Sequence, residues 1–121
     1  MVGAVNGYSA GETRARRSLE LSQRPTALVA HNDLVAIGAM KAFAEGGLQI
    51  PGHVSVVGFD DIAAASYVTP PLTTIACPKG LMGKEAINLL LNLMHSQIPV
   101  TSSPTRLAVE IIVRDSARRV I

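Results

Sequence analysis

An apolar run that stops abruptly at two carboxylates constrains the fold of this chain most. The run covers residues 54–59, VSVVGF, and Asp60 and Asp61 follow it directly. β-Branched residues in an uninterrupted apolar run are typical of a strand buried on both faces of a parallel sheet. The two carboxylates then mark the C-terminal end of that strand, where it opens onto solvent or a ligand.

A second copy of this arrangement lies upstream, and a helical pattern separates the two. Residues 27–30 are apolar and are followed by His31, Asn32 and Asp33, while residues 34–45 predict a helix that two glycines close. Strand, helix and strand in this order predict parallel strands joined by a right-handed crossover. The ends of the two strands should therefore share one edge of the sheet, which is where ligands bind in open α/β folds.

The remaining elements follow from local signals. Ser9 and Glu12 form a capping-box pattern, which predicts a helix from Ser9 to about Ser22. Asp33 is the expected N-cap of the helix at residues 34–45, because a carboxylate accepts hydrogen bonds from free backbone N–H groups. Further along, the sequence predicts a helical turn at 62–67, a strand at 72–75, a helix at 78–95 and a strand at 107–113.

The helix at residues 34–45 carries more apolar surface than one contact needs. Only Lys41 and Glu45 are charged, and the apolar residues spread beyond the stripe of about 100° that a one-sided surface helix shows. We expect a second contact to cover the excess, most simply a partner subunit.

Composition excludes several classes of protein. The formal net charge of +2 is too small to indicate a nucleic-acid-binding surface, and no apolar run reaches the length of a membrane span. The single cysteine, Cys77, excludes an internal disulfide and fits a reducing compartment. There is no secretory signal at Met1 either, and a cytoplasmic location is expected.

Catalytic and metal-binding signatures are missing from the sequence. Gly83 and Lys84 fail as a phosphate-binding loop, because Glu85 stands where a magnesium-binding Ser or Thr is needed. Asp60 and Asp61 could form a magnesium or phospho-acceptor site, but no third acidic strand end completes it. We therefore expect no enzyme activity, no metal and no cofactor.

What remains is a rim that suits a sugar or another polyol. The Asp60 carboxylate can accept two hydroxyl hydrogen bonds, the Asn32 amide can donate and accept, and the Tyr8 ring offers a flat apolar face. The alternative is that Asp60 and Asp61 only shape the loop, and spacing alone does not decide between the two.

Four motifs then resemble the LacI/GalR family of bacterial transcription regulators. Residues 25–33 are similar to the family's P-T-A-x-x-x-x-N-D, and residues 54–61 to its V-S-V-V-G-F-D-D. Residues 69–75 are similar to T-P-P-L-T-T-I, and residues 112–116 to the closing I-V-R-x-S. The motifs occur in the family's order and cover nearly the whole chain.

This resemblance implies an α/β fold, namely a parallel-sheet βαβ lobe of a periplasmic-binding-protein-like I domain. We expect it to be truncated, with one C-terminal helix that belongs to the missing lobe. Residues 1–76 and 105–114 would form the second lobe, residues 77–98 the helix of the first lobe, and residues 115–121 a tail. The DNA-binding headpiece would be absent from this chain. Operator DNA would be bound only through that headpiece.

The resemblance also implies roles for individual residues. Asp60 and Asn32 match the family's effector-binding aspartate and asparagine, and Tyr8 matches the aromatic that stacks on the effector. His31 stands where a small residue is common, and could narrow the pocket or add a donor. The expected dimer interface comprises Ile37, Met40, Lys41, Ala44, Tyr67 and Pro70.

The function expected from the resemblance is effector sensing, with a sugar or related small molecule, and dimerisation within a LacI-type regulator. The alternative is a fragment of a sugar-binding protein of an ABC transporter, which shares the fold. The motifs at residues 69–75 and 112–116 favour the regulator. The helix at residues 78–95 should then expose an apolar face that the missing lobe would cover, and we expect another surface, such as a second copy, to cover it instead.

Overall fold

The computed structural model of the chain describes residues 7–95 and 103–120. Each of the eight predicted elements is present, with ends that differ by a few residues. They are α1 (Tyr8–Leu19), β1 (Ala27–Val29), α2 (Asp33–Glu45), β2 (Ser55–Val57), α3 (Ala64–Tyr67), β3 (Thr74–Ala76), α4 (Lys79–His95) and β4 (Glu110–Ile112).

The chain divides into two compact units. Unit 1 comprises Met1–Ala76 and Glu110–Ile121, and unit 2 comprises Cys77–Val109. The assignment of these units to two lobes of a larger domain stays a prediction, as does the boundary at residue 105. The connection between the predicted helix at 78–95 and the predicted strand at 107–113 lies partly outside the described residues.

The strand–helix–strand unit is confirmed. Strands β1 and β2 pair in parallel with Leu28 opposite Val56, and α2 connects them. A parallel bridge between Val57 and Thr73 extends this pairing to the segment that leads into β3. Strand β3 in turn pairs antiparallel with β4, with Ile75 opposite Ile111.

Unit 1 has a small, mainly aliphatic core to which β2 contributes. Val54 and Val56 are fully buried, and they belong to one cluster with Leu72 and with Phe43 of α2. Full burial of such a side chain is worth about 1.5–3 kcal/mol, so the buried face of β2 fixes its orientation in the sheet.

Helices α1 and α2 pack through glycines rather than through large apolar side chains. A Cβ at Gly11 would overlap the Val35 carbonyl oxygen, and a Cβ at Gly38 would overlap the Tyr8 carbonyl oxygen. The two backbones therefore approach more closely than any side chain at these positions would allow.

This contact corrects the interpretation of the wide apolar arc of α2. Helix α1 packs along α2 and β2 also contacts it, so the arc is largely buried within the chain. Met40 is 5% exposed and Ile37 packs against the core. The arc alone is therefore no evidence for a partner subunit.

Exposed ion pairs connect the same two helices. Lys41 Nζ lies 3.1 Å from Glu12 Oε1, and Arg16 pairs with Glu45. Exposed pairs contribute about 0–1 kcal/mol, so they align the helices more than they stabilise them. Lys41, expected at a dimer interface, thus already has partners in its own chain.

Two predictions about helix starts are wrong. Helix α1 begins at Tyr8 with Gly7 as its N-cap and without a capping side chain, so Ser9 lies inside the helix instead of capping it. Asn32, not Asp33, caps α2, because Asn32 has the extended backbone of an N-cap and its Oδ1 accepts from Val35 N at 2.9 Å.

Helix α4, in unit 2, has no buried residue. Its large apolar side chains are 45–69% exposed, and they are Leu81, Met82, Ile87, Leu89, Leu90, Leu91, Leu93 and Met94. That another surface covers this face stays a prediction.

The glycine contact between α1 and α2 gives a test of the fold. We expect Gly38→Ala to lower the free energy of unfolding by about 1–3 kcal/mol, because the new methyl group must push the helices apart. The matched control is Gly83→Ala in α4, where a Cβ would meet nothing within 4 Å. This control should leave the free energy of unfolding unchanged or raise it by up to about 1 kcal/mol. Urea unfolding measures both variants. Equal effects of both changes would contradict the close crossing.

Candidate functional site

The C-terminal ends of β1 and β2 meet at one edge of the sheet. Ala30 N donates to Val57 O at 2.9 Å, and Asp33 N donates to Phe59 O at 2.9 Å. Because these bonds continue the parallel pairing past both strands, Asn32 and Asp60 lie at the same rim. The predicted shared edge is therefore confirmed, while the ligand role of its residues stays a prediction.

The loop that carries Asp60 has a strained backbone. Asp60 has a φ of 110° and Asp61 a φ of 49°, both in the left-handed region that side chains disfavour. Such residues cost about 1–3 kcal/mol each and persist only where the surroundings determine them strongly. One such contact is the hydrogen bond from Asp60 N to Ile75 O at 2.8 Å.

A fully buried carboxylate, that of Asp33, holds the other side of this loop. Its Oδ2 accepts from Ile62 N at 2.9 Å, and its Oδ1 accepts from Thr74 Oγ1 at 2.5 Å. The Thr74 hydroxyl also accepts from Asp61 N at 3.4 Å, so it links the Asp33 carboxylate to the loop. Hydrogen bonds to an ionised group are the strong ones, and they offset the cost of burying it.

The approach of Asp33 to the strand end requires a glycine. A Cβ at position 58 would overlap Asp33 Oδ1, so any larger residue would displace the carboxylate. The glycine in the V-V-G-F motif is thereby explained by space for Asp33, because its φ is not in the left-handed region.

The second loop carboxylate, Asp61, is engaged by an arginine. Arg114 Nη2 donates to Asp61 Oδ1 at 2.7 Å, and Arg114 Nη1 donates to Leu72 O at 2.8 Å. Asp61 therefore has the loop-shaping role that the sequence left open for both carboxylates. Asp60 differs, because its half-buried side chain has no hydrogen-bond or ion-pair partner within residues 7–95 and 103–120.

Asn32 lies at the rim with one of its polar atoms in use. Its Oδ1 caps α2, so the two hydrogens of Nδ2 are what it can offer most freely to a ligand. The amide is expected from the sequence to both donate and accept at a ligand, and the cap limits its accepting role.

Tyr8 is the first residue of α1 and is 47% exposed. Its backbone contacts α2 at Gly38, five residues beyond Asp33 and therefore about 7.5 Å along the helix axis from the start of α2. The glycine contact thus fixes where α1 begins relative to the rim.

A buried hydroxyl outside the predicted site connects the C-terminal segment to the sheet. Ser116 Oγ donates to Val56 O at 2.6 Å and accepts from Thr73 N at 2.8 Å. The missed residues of the site are thus Asp33 as a carboxylate anchor, Thr74, Arg114 and Ser116. Their only signal was membership of the N-D, T-T-I and I-V-R-x-S motifs.

A half-open cavity of about 240 Å³ lies beside β1, and neither Asn32 nor Asp60 lines it. Its lining combines α1, α2 and β1 and consists of Gly11, Arg14, Leu28, Val29, Ala30, His31, Val35 and Ala39. It is smaller than an ordinary small-molecule pocket, and His31 faces this cavity. Within the described part of the chain, no group of His, Cys, Asp and Glu could hold a metal, and no helix could cross a membrane.

A parallel βαβ unit with an unpaired carboxylate at its strand ends is the arrangement that the sequence predicts for a periplasmic-binding-protein-like domain. A model of the periplasmic binding protein-like domain family matches residues 1–117. The chain is 41% identical over 109 residues to a lactose operon repressor of Rhizobium radiobacter, covering 90% of this chain and 95% of that one. The chain therefore belongs to this domain family, in the LacI group of transcriptional regulators.

Other relatives are longer than this chain. The transcriptional repressor CytR of Escherichia coli K12 is 40% identical over 111 residues, which cover 92% of this chain but 32% of CytR. The chain thus spans about a third of such relatives.

Solved structures agree with this fold. The lac repressor dimer bound to operator and the anti-inducer ONPF superposes with a TM-score of 0.82 at 33% identity, over 92% of this chain and 38% of that one. A LacI family regulator of Enterococcus faecalis V583 with bound ribose gives 0.76 at 33% identity, over 92% and 40%.

Proposed function

We propose that this chain senses a small-molecule effector, a sugar or related polyol, as part of a LacI-type transcriptional repressor. The observation that carries the proposal is the half-buried Asp60 carboxylate, which has no partner among the described residues although its loop is strained and firmly held. A strained loop that presents an unpaired carboxylate at a strand end is typical of a functional site, where the cost in stability is offset by binding.

The chemistry of the rim suits hydroxyl groups. Asp60 offers acceptors, Asn32 Nδ2 offers donors, and Tyr8 offers an exposed ring. Sugars present hydroxyls around an apolar ring face, and three related regulators hold ribose, lactose or sucrose in their structures. The sugar class of the effector is therefore supported by both the geometry and the relatives.

The regulator is favoured over a transporter component by the relatives, which are transcriptional repressors. Operator DNA would be contacted by other parts of the complete regulator, since the described residues include no helix-turn-helix arrangement. A repressor acts where DNA is, so we place the chain in the bacterial cytoplasm, and its one free cysteine agrees with that compartment.

The first prediction tests Asp60. Hydrogen bonds to charged groups contribute about 1.5–3 kcal/mol, so Asp60→Asn should weaken sugar binding at least about tenfold. Calorimetric titration of the chain with ribose, lactose and sucrose measures this, and Asp115→Asn, the same change at an exposed carboxylate, should bind as the wild type does. Unchanged affinity in Asp60→Asn, or a wild type that binds none of the three sugars, would count against the proposal.

We also propose that the chain forms a homodimer through the segment from Tyr67 to Pro70, adjoined by Ala44 and Lys41 of α2. Tyr67 is 86% exposed at the end of α3, which is unusual for a large aromatic side chain. A relative in this family, the lac repressor, was solved as a dimer. Ile37 and Met40 are largely covered by their own chain, so they would contribute less to this surface than the exposed Tyr67.

The second prediction tests this surface without disturbing the core. Tyr67→Asp removes apolar contact worth about 1.5–3 kcal/mol, so it should raise the dimer dissociation constant at least about tenfold. Sedimentation velocity measures it, and Val120→Asp, at an equally exposed position, is the control. Dissociation by Leu90→Asp but not by Tyr67→Asp would show that α4 carries the association instead.

A further inference from the structure

We propose that Arg114 is a positioning residue for Asp60. By holding the neighbouring Asp61, it keeps the loop in the backbone conformation that presents the Asp60 carboxylate at the rim. The inference rests on the proposed role of Asp60 in effector binding and adds to it the device that fixes the direction of this carboxylate.

The Arg114 guanidinium group binds the Asp61 carboxylate and the Leu72 carbonyl oxygen at the same time. Its Nη2 donates to Asp61 Oδ1 at 2.7 Å and its Nη1 to Leu72 O at 2.8 Å. The planar fork of arginine fixes both directions at once, which a lysine ammonium does not. The pair is largely shielded, since the Arg114 side chain is 20% exposed and that of Asp61 is 29% exposed.

The base of this side chain is also fixed. Arg114 N donates to Thr73 Oγ1 at 2.9 Å, and Thr73 N donates to the buried hydroxyl of Ser116. Arg114 is therefore fixed to the segment before β3 and, through Ser116, to the centre of the sheet. Its guanidinium can serve as a stationary anchor for the loop.

The loop needs such an anchor at Asp61. The main chain is held before it by the bond from Asp60 N to Ile75 O and after it by the bond from Ile62 N to Asp33 Oδ2. Between these points the backbone has two consecutive positive φ angles, and the bond from Asp61 N to Thr74 Oγ1 is long at 3.4 Å. The ion pair with Arg114 is the strong contact at the strained residue itself, so its loss lets Asp61 relax and turns Asp60 away from the rim.

A double-mutant experiment separates positioning from stability. Arg114→Met should weaken binding of ribose by about tenfold in the chain with Asp60, and should have no further effect in the Asp60→Asn background. The ribose affinity of Arg114→Lys should lie between those of the wild type and Arg114→Met, because lysine keeps the charge but lacks the planar guanidinium fork. The matched control is Arg118→Met, at an exposed arginine of the same segment.

A ligand-free readout decides the same question. A positive φ brings the amide proton and the α proton of the same residue close together. In the wild type, Asp60 and Asp61 should therefore each show a strong nuclear Overhauser effect between their own amide and α protons. These should weaken in Arg114→Met and in Asp61→Asn, and persist in Arg118→Met. The Asp61 variant reports on the same pair if Arg114→Met fails to fold.

The outcomes distinguish this inference from the proposed function. Unchanged Overhauser effects in a folded Arg114→Met, or equal losses of ribose affinity with and without Asp60, would overturn the positioning role and leave only a structural ion pair. If Asp60→Asn binds ribose normally, or the wild type binds none, the proposed effector role of Asp60 fails. The Overhauser effects then still decide whether Arg114 positions the loop.

Discussion

One buried carboxylate, that of Asp33, connects the start of α2, the loop after β2 and the first residue of β3. It accepts from Ile62 N and from the Thr74 hydroxyl while its own backbone N–H donates to Phe59 O. An ionised group without these donors could not remain in a site that excludes water. The positions of the loop after β2 and of Thr74 at the rim therefore depend on this contact, and the contact in turn requires the glycine at position 58.

The same contact divides the carboxylates of the rim by role. Asp33 anchors the loop, Asp61 is held by Arg114, and Asp60 is left without a partner among the described residues. Two of these three neighbouring carboxylates are engaged within the chain, so Asp60 alone of the three is available to a ligand. The C-terminal segment contributes both Arg114 and Ser116, so the last part of the chain is required for the loop near its middle.

The helices and strands could be predicted from the sequence, but the contacts between them could not. Apolar periodicity and the turn glycines placed each helix and strand, because these signals are local. The bond between Asp33 and Thr74 joins residues 41 positions apart, and no local pattern reports it. The cover over α2 was missed for another reason: α1 packs through Gly11 and Gly38, and close contact through glycines leaves no apolar pattern to read.

Amide hydrogen exchange at Ile62, compared between the wild type and Asp33→Asn, tests this account most directly. The asparagine keeps the shape of the side chain but replaces one carboxylate oxygen by a donor. The account predicts that the Ile62 amide exchanges at least about tenfold faster in the variant, because a charge-assisted bond is lost. The Leu48 amide, which donates to Phe43 O at the far end of α2, should keep its protection. Unchanged protection of Ile62 in a folded variant would contradict the claim that Asp33 holds the loop that presents Asp60.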